Sequence, residues 1–163
     1  MAELGPGRSL TLQAPTVVES ADLGDMLRQD MSVSRPLEAA READLVVYSP
    51  GAVSADSILV TAGYVTTDGI EQLRSKGASA DIMSHYVDVH GHVVDEELDS
   101  RTISVDLDCV KVRDGKGHSR PRARRVLVIA SGAEKAEALG AALRGGLCTD
   151  LVVDASVAER ALR

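Results

Sequence analysis

The chain has 163 residues, of which 44% are hydrophobic and 26% charged, a balance that suits one domain with a sizeable core. With no Trp, no Phe and only Tyr48, Tyr64 and Tyr86, it lacks the rings of a stacking platform for single-stranded nucleic acid, and a net charge of -7 opposes attraction to a phosphate polymer. No stretch approaches the roughly 18 apolar residues that span a bilayer. Cys109 and Cys148 lie outside any Cys-x-x-Cys spacing, so neither a disulfide nor a metal framework is expected and the predicted location is the cytoplasm.

Residues 1–9, with Gly5, Pro6 and Gly7, have no period and predict a flexible start, so the folded unit is expected over residues 10–163. Leu10 to Gln13 predicts a short strand ended by Pro15. Ser20 can cap a helix carrying Leu23, Met26 and Leu27, and a second helix runs to Ala43 with Pro36 early, where proline is tolerated. Leu45 to Tyr48 is an all-apolar run before a Ser49-Pro50-Gly51 turn, the pattern of a strand buried on both faces of a parallel sheet. Thr66 to Asp68 start a helix from Ile70 to Lys76, which Gly77 stops.

Ile82 to Val94 predicts a hairpin with His90-Gly91 near its turn, and Thr102 to Leu107 alternates as a further strand. After the polar basic loop Arg113 to Arg124, the β-branched run Val126 to Ala130 leads through Ser131-Gly132 into a helix with Ala136, Leu139 and Leu143 on one face. Asp150 to Asp154 and a last helix to Leu162 complete a right-handed βαβα unit. The predicted fold class is α/β, a mostly parallel Rossmann-like sheet with an antiparallel hairpin insertion.

In open parallel sheets ligands meet the carboxyl ends of strands, where helix N-termini present unpaired N–H groups. Ser131 and Gly132 occupy such a place, and Lys135 adds a positive charge, a set suited to a phosphate or another anion. The same residues also fit an ordinary strand-to-helix turn with a surface lysine. The spacing is not that of the nucleotide P-loop.

Further motifs carry a resemblance. The run SGAEKAEALGAALRGGLCTDLVVDASVAERAL, from Ser131 to Leu162, resembles the end of the sugar-binding domain of SorC-family (SorC/DeoR-type) bacterial transcriptional regulators, with its Gly-Gly-x-x-Lys-Ala turn, Ala-Leu-x-Gly-Gly turn and Thr-Asp/Glu-x-x-Ala segment. PTVVESADLGDMLRQDMSVSRPLEAAREADLVVYSPGAV resembles the family's Pro-Ala-Pro, two-helix and Asp-Leu-x-Leu-x-x-x-Gly stretch, and Gly63 to Leu73 its next helix. ASADIMSHYVDVHGHVVDEELDSRTISVDL is similar to its Gly-Asp-Ile, Phe-Asp-x-x-Gly and Leu-Asn-x-Arg-x-Ile segments.

The resemblance implies a fold like that of ribose-5-phosphate isomerase, glucosamine-6-phosphate deaminase and the CoA transferases, used to bind a phosphorylated sugar or other small carbohydrate effector and to change oligomer state, most simply of a homo-oligomer. By position, Lys135 would pair with phosphate, Asp81 would accept from sugar hydroxyls, Arg101 would add a polar contact, and Ser131 and Gly132 would complete the ligand-binding set. No catalytic residue, metal or cofactor is implied, and DNA would be met only by a separate helix-turn-helix. The family's helix-turn-helix and first strands with a Gly-rich loop should precede Leu10, where nine residues stand. Ser131 replaces a glycine, Ser49-Pro50-Gly51 departs from Gly-x-Gly, and Asp99 stands for Asn.

Alternatives remain. Asp81 or an acidic residue near Asp95 would be the base of a sugar-phosphate isomerase or deaminase, and a degenerate domain would only oligomerise. His85, His90 and His92 with Asp88 and Asp95 lack a zinc spacing and read as polar hairpin residues. Asp95, Glu96, Glu97 and Asp99 read as a solvated loop, since catalytic carboxylates need burial or a partner. Lys111, Arg113, Lys116, Arg120, Arg122, Arg124 and Arg125 form the basic patch, read as a solvated loop rather than a DNA contact.

Overall fold

The computed structural model describes residues 7–111 and 125–161. Helices begin where a side chain can cap them. Helix α1 (Ala21–Gln29) follows Ser20, whose hydroxyl accepts the Leu23 N–H at 3.2 Å, and α2 (Met31–Glu42) follows Asp30, whose carboxylate accepts the Ser32 N–H at 2.8 Å. Because Asp30 starts α2 so early, Pro36 lies inside the helix and not in its first turn. The predicted strand at Leu10 to Gln13 is absent. That segment is irregular, and Leu12 packs with Leu27 against Val18, Val33, Leu37 and Ile103. Backbone pairing begins later, where Val17 bridges Thr102.

Strand β1 (Leu45–Tyr48) is followed by a short helix α3 (Ile58–Thr61) and by α4 (Thr67–Ser75), capped by Thr66 and stopped at Gly77 with φ of +93°. The hairpin is tighter than its sequence suggests. Strands β2 (Ala80–Ile82) and β3 (His85–Val87) turn at Met83-Ser84, not at His90-Gly91. Both turn residues have positive φ without being glycine, and two bonds hold them there: Ser84 N–H donates to Asp81 Oδ1 at 2.8 Å, and the Ser104 hydroxyl donates to the Met83 carbonyl at 2.8 Å. His90-Gly91 makes a second turn, held by Asp88, that returns Val93 to bridge Val87.

The acidic run forms helix α5 (Glu96–Ser100) instead of a solvated loop, because the Asp95 carboxylate caps it through the Leu98 N–H at 3.0 Å. Thr102 to Leu107 is likewise not a strand; Thr102 pairs with Val17 and Leu107 enters a 3-10 turn. The basic residues from Arg113 to Arg124 lie outside the described residues. Strand β4 (Arg125–Ala130), a 3-10 turn at Ala133–Lys135, helix α6 (Ala136–Arg144), strand β5 (Asp150–Val153) and helix α7 (Ala155–Ala161) follow as the predicted βαβα unit.

The main sheet has the order β1-β4-β5 with both pairs parallel, and β2-β3 forms a separate antiparallel pair. Val126, Val128 and Ala130 project into a core with Leu139, Ala142, Leu147 and Val157, all almost fully buried. The Tyr48 hydroxyl donates to the Leu147 carbonyl at 2.9 Å, tying β1 to the end of α6. The opposite face of the sheet is open. Leu45, Val47, Ile129 and Val152 are 51%, 52%, 44% and 57% exposed, so the expected burial of β1 on both faces does not hold: α6 and α7 cover only one side.

Candidate functional site

Since β1, β4 and β5 run parallel, the segments after them meet at one edge of the sheet: Ser49-Pro50-Gly51, Ser131-Gly132 and Asp154. Lys135, in the turn that enters α6, donates from Nζ to the Ser49 hydroxyl at 2.6 Å. Asp81 reaches the same loop from β2, where its backbone exchanges two bonds with Gly51, at 2.7 and 2.9 Å. Lys135 and Asp81 are thus brought to one loop although the chain separates them.

The carboxylate of Asp81 is largely enclosed, and burial raises its pKa, opposed by the Ser84 N–H and by the charge of His85. That carboxylate also has a structural task, since it holds the left-handed Met83-Ser84 turn.

Gly132 has φ of +100°, a conformation that favours glycine, and its N–H points at an anion as predicted. The anion is the protein's own. Asp154 Oδ2 accepts both the Gly132 N–H and the Ser131 hydroxyl, each at 3.0 Å, while Oδ1 accepts the Ser156 hydroxyl at 2.6 Å and the Val157 N–H at 2.9 Å. The hydroxyl of Ser156, then the Val157 and Gly132 N–H groups, and last Ser131 hold the pKa of Asp154 far below the usual carboxylate range. Glu134 folds over the Cα of Gly132 from the other side. Beside this turn lies a cleft of about 450 Å³, with Arg74 and Ser79 among the residues on one side and Glu134 and Glu137 on the other.

Arg101 is not part of this edge. Its guanidinium is 3.3 Å from Glu97 and 3.5 Å from the Glu19 carbonyl, where it ties the end of α5 to the segment before α1. Sequence reasoning missed Asp154 and Ser49 as members of the site. Their signal was the one used for Ser131, a polar residue directly after a strand of the parallel sheet. The histidines scatter: His85 is in the core, whereas His90 and His92 lie on the second turn with ring centroids 6.3 Å apart.

The sequence matches the family model Sugar-bind, described as "Putative sugar-binding domain", over residues 1–163. The chain belongs to this family. Its relatives are transcriptional regulators. It is 27% identical over 148 residues to the deoxyribonucleoside regulator of Bacillus subtilis (strain 168), a match covering 91% of this chain and 44% of that protein. It is 32% identical over 158 residues to the transcriptional regulator LsrR of Escherichia coli (strain SMS-3-5 / SECEC), covering 93% of this chain and 46% of that one.

The chain therefore spans less than half the length of these regulators. A DeoR family transcriptional regulator from Listeria monocytogenes superposes with a TM-score of 0.79 at 27% identity, covering 92% of this chain and 57% of the solved one. The full-length sorbitol operon regulator SorC from Klebsiella pneumoniae shares the fold, with a TM-score of 0.74 at 20% identity, over 91% of this chain and 45% of the other. Among the described residues no helix is long and apolar enough to cross a membrane.

Proposed function

We propose that this sugar-binding domain is the effector-binding and oligomerisation part of a sugar-responsive transcriptional regulator, and that its effector is a phosphorylated sugar or a related carbohydrate. The observation that carries the reading is the convergence of Lys135 and Asp81 on the Ser49-Pro50-Gly51 loop at the carboxyl edge of the sheet. The ammonium of Lys135 and the hydroxyl of Ser49 suit phosphate oxygens, and the carboxylate of Asp81 suits sugar hydroxyls. The Gly132 N–H joins them when Asp154 turns away.

The domain binds and does not convert its ligand. A sugar phosphate acts by its unequal affinity for two quaternary arrangements, the only property of a ligand that shifts such an equilibrium. Self-association of copies is supported by the open apolar face of the sheet, which a parallel sheet normally has covered. DNA contact belongs to a separate helix-turn-helix, and the setting is the cytoplasm.

Thermal denaturation with ribose 5-phosphate, glucose 6-phosphate and the matching free sugars tests the reading. A bound ligand at about a hundred times its dissociation constant stabilises the fold by roughly 2.7 kcal/mol. The gain is expected for a phosphorylated sugar and is expected to vanish in Lys135→Ala. No shift with any of a broad sugar-phosphate panel, or the same shift in the variant, rejects it, and a new NMR species in the mixture would turn the reading toward an enzyme.

A further inference from the structure

His85 is 5% exposed, and both of its ring nitrogens face acceptors. Nδ1 lies 2.5 Å from Asp99 Oδ1, and Nε2 lies 3.0 Å from the carbonyl oxygen of Val105. A neutral imidazole carries one N–H and can donate to only one of them. The cluster therefore holds an additional proton. Asp99, with its side chain 32% exposed, keeps the negative charge where water can solvate it, and the ring donates from both nitrogens as an imidazolium.

We propose that His85 is a proton-dependent latch: as an imidazolium it ties α5 and the Val105 segment to the hairpin that carries Asp81, and loss of the proton loosens the hairpin and weakens effector binding. The binding half of this statement rests on the proposed function above. The path from latch to site is short. His85 pairs with Ile82 across the Met83-Ser84 turn, Ser104 holds the Met83 carbonyl at 2.8 Å, Asp81 holds the Ser84 N–H, and Asp81 in turn bonds Gly51 beside Ser49 and Lys135.

The charged groups around the ring are Asp81 from β2, Asp99 from α5 and Asp106 from the segment after Val105. A cleft of about 340 Å³ beside it adds Glu96, Asp108, Lys111 and His92. Burial alone would lower the pKa of His85, but the bond and charge of Asp99, the Val105 carbonyl and Asp106 outweigh it, and the net shift is upward. A raised histidine contributes stability that is complete below the unfolded value of about 6.5 and is lost as pH rises through the folded pKa. Deprotonation sets a ring lone pair against either the Asp99 carboxylate or the Val105 carbonyl.

Asparagine at position 99 would remove the titration and keep the bonds. Its amide nitrogen can donate to Nδ1 of a neutral ring whose Nε2–H still donates to Val105. The decisive experiment compares the unmodified chain, Asp99→Asn and His85→Gln from about pH 6 to about pH 9. It reads imidazole nitrogen shifts by NMR, hydrogen exchange of the Ser79 N–H that bonds the Val87 carbonyl at 2.7 Å, and affinity for ribose 5-phosphate.

The expected result is a doubly protonated His85 at neutral pH, with exchange rising and affinity falling as it titrates. The fall is at most about tenfold per pH unit, the limit for one proton. Asp99→Asn is expected to flatten both profiles, and His85→Gln to resemble the high-pH state. A neutral His85 at pH 7, or an unchanged slope in Asp99→Asn, overturns the latch. A flat affinity profile with a titrating ring overturns its coupling to the site. If no sugar phosphate binds at any pH, the proposed function fails, and the exchange profiles still decide the latch.

Discussion

The Gly132 N–H is satisfied by Asp154, whose Oδ2 stands 3.0 Å away where an effector's anionic oxygen would otherwise sit. A phosphate that approaches Lys135 therefore meets a negative charge already installed on the turn. Asp154→Asn keeps an acceptor for Gly132 and a competent cap for α7, and removes that charge. The expected outcome is a several-fold gain in sugar-phosphate affinity at constant fold. Equal affinity in calorimetric titrations of the two forms would show that Asp154 does not oppose the ligand.

Asp150 provides the acid limb of stability. The Arg125 guanidinium, 2.6 Å from Asp150 Oδ1, and then the Thr149 hydroxyl lower its pKa to about 2. A depressed carboxylate stabilises the fold above its unfolded value of about 3.9 and loses that contribution as pH falls toward the folded value. Asp150→Asn is expected to unfold at a lower temperature than the unmodified chain at neutral pH, with the gap closing as pH falls toward about 2. A gap that stays constant with pH refutes the assignment.

Gly91 and Gly77 both have positive φ, but their surroundings differ. A Cβ at Gly91 would stand 2.8 Å from the Gly145 Cα, whereas nothing lies within 4 Å of one at Gly77. Gly77→Ala should cost about 1 kcal/mol for its backbone alone, and Gly91→Ala distinctly more, because the turn and the end of α6 must part. Urea denaturation gives both numbers, and equal losses would mean that the close approach does not matter.

The open sheet face makes a separate prediction. Val47→Lys and Ile129→Lys place charge on exposed positions, so each should change monomer stability by less than about 1 kcal/mol. If copies associate through this face, the double variant should sediment as a smaller species than the unmodified chain. Identical sedimentation of the two would place the interface elsewhere.

Leu139 anchors α6 on the sheet with 1% exposure. Leu139→Ala should cost about 2–5 kcal/mol, read from the denaturation midpoint, because no neighbouring side chain is free to fill the space. A loss below about 1 kcal/mol would mean that α6 can repack against the sheet.

The sequence by itself determined the α/β class, the βαβα end of the chain, the helices that start at Ser20 and Thr66, and the family. These depend on local signals, namely caps, stop glycines, apolar runs and ordered motifs, that each act within a few residues. It also placed Ser131, Gly132 and Lys135 at the end of a strand. Only the tertiary structure decided what those groups face. Arg101 went to Glu97 and Glu19, Asp154 took the Gly132 N–H, and Ser49 received Lys135, because partners of a side chain are chosen by strands adjacent in space and remote in sequence.

The hairpin errors have the same origin. Glycine at 91 gave a turn signal, yet the turn formed at Met83-Ser84, where Asp81 and Ser104 supply bonds that no local propensity records. The open face of β1 was illegible for a related reason. An apolar strand specifies that both faces suit burial, and what covers each face depends on which helices pack there.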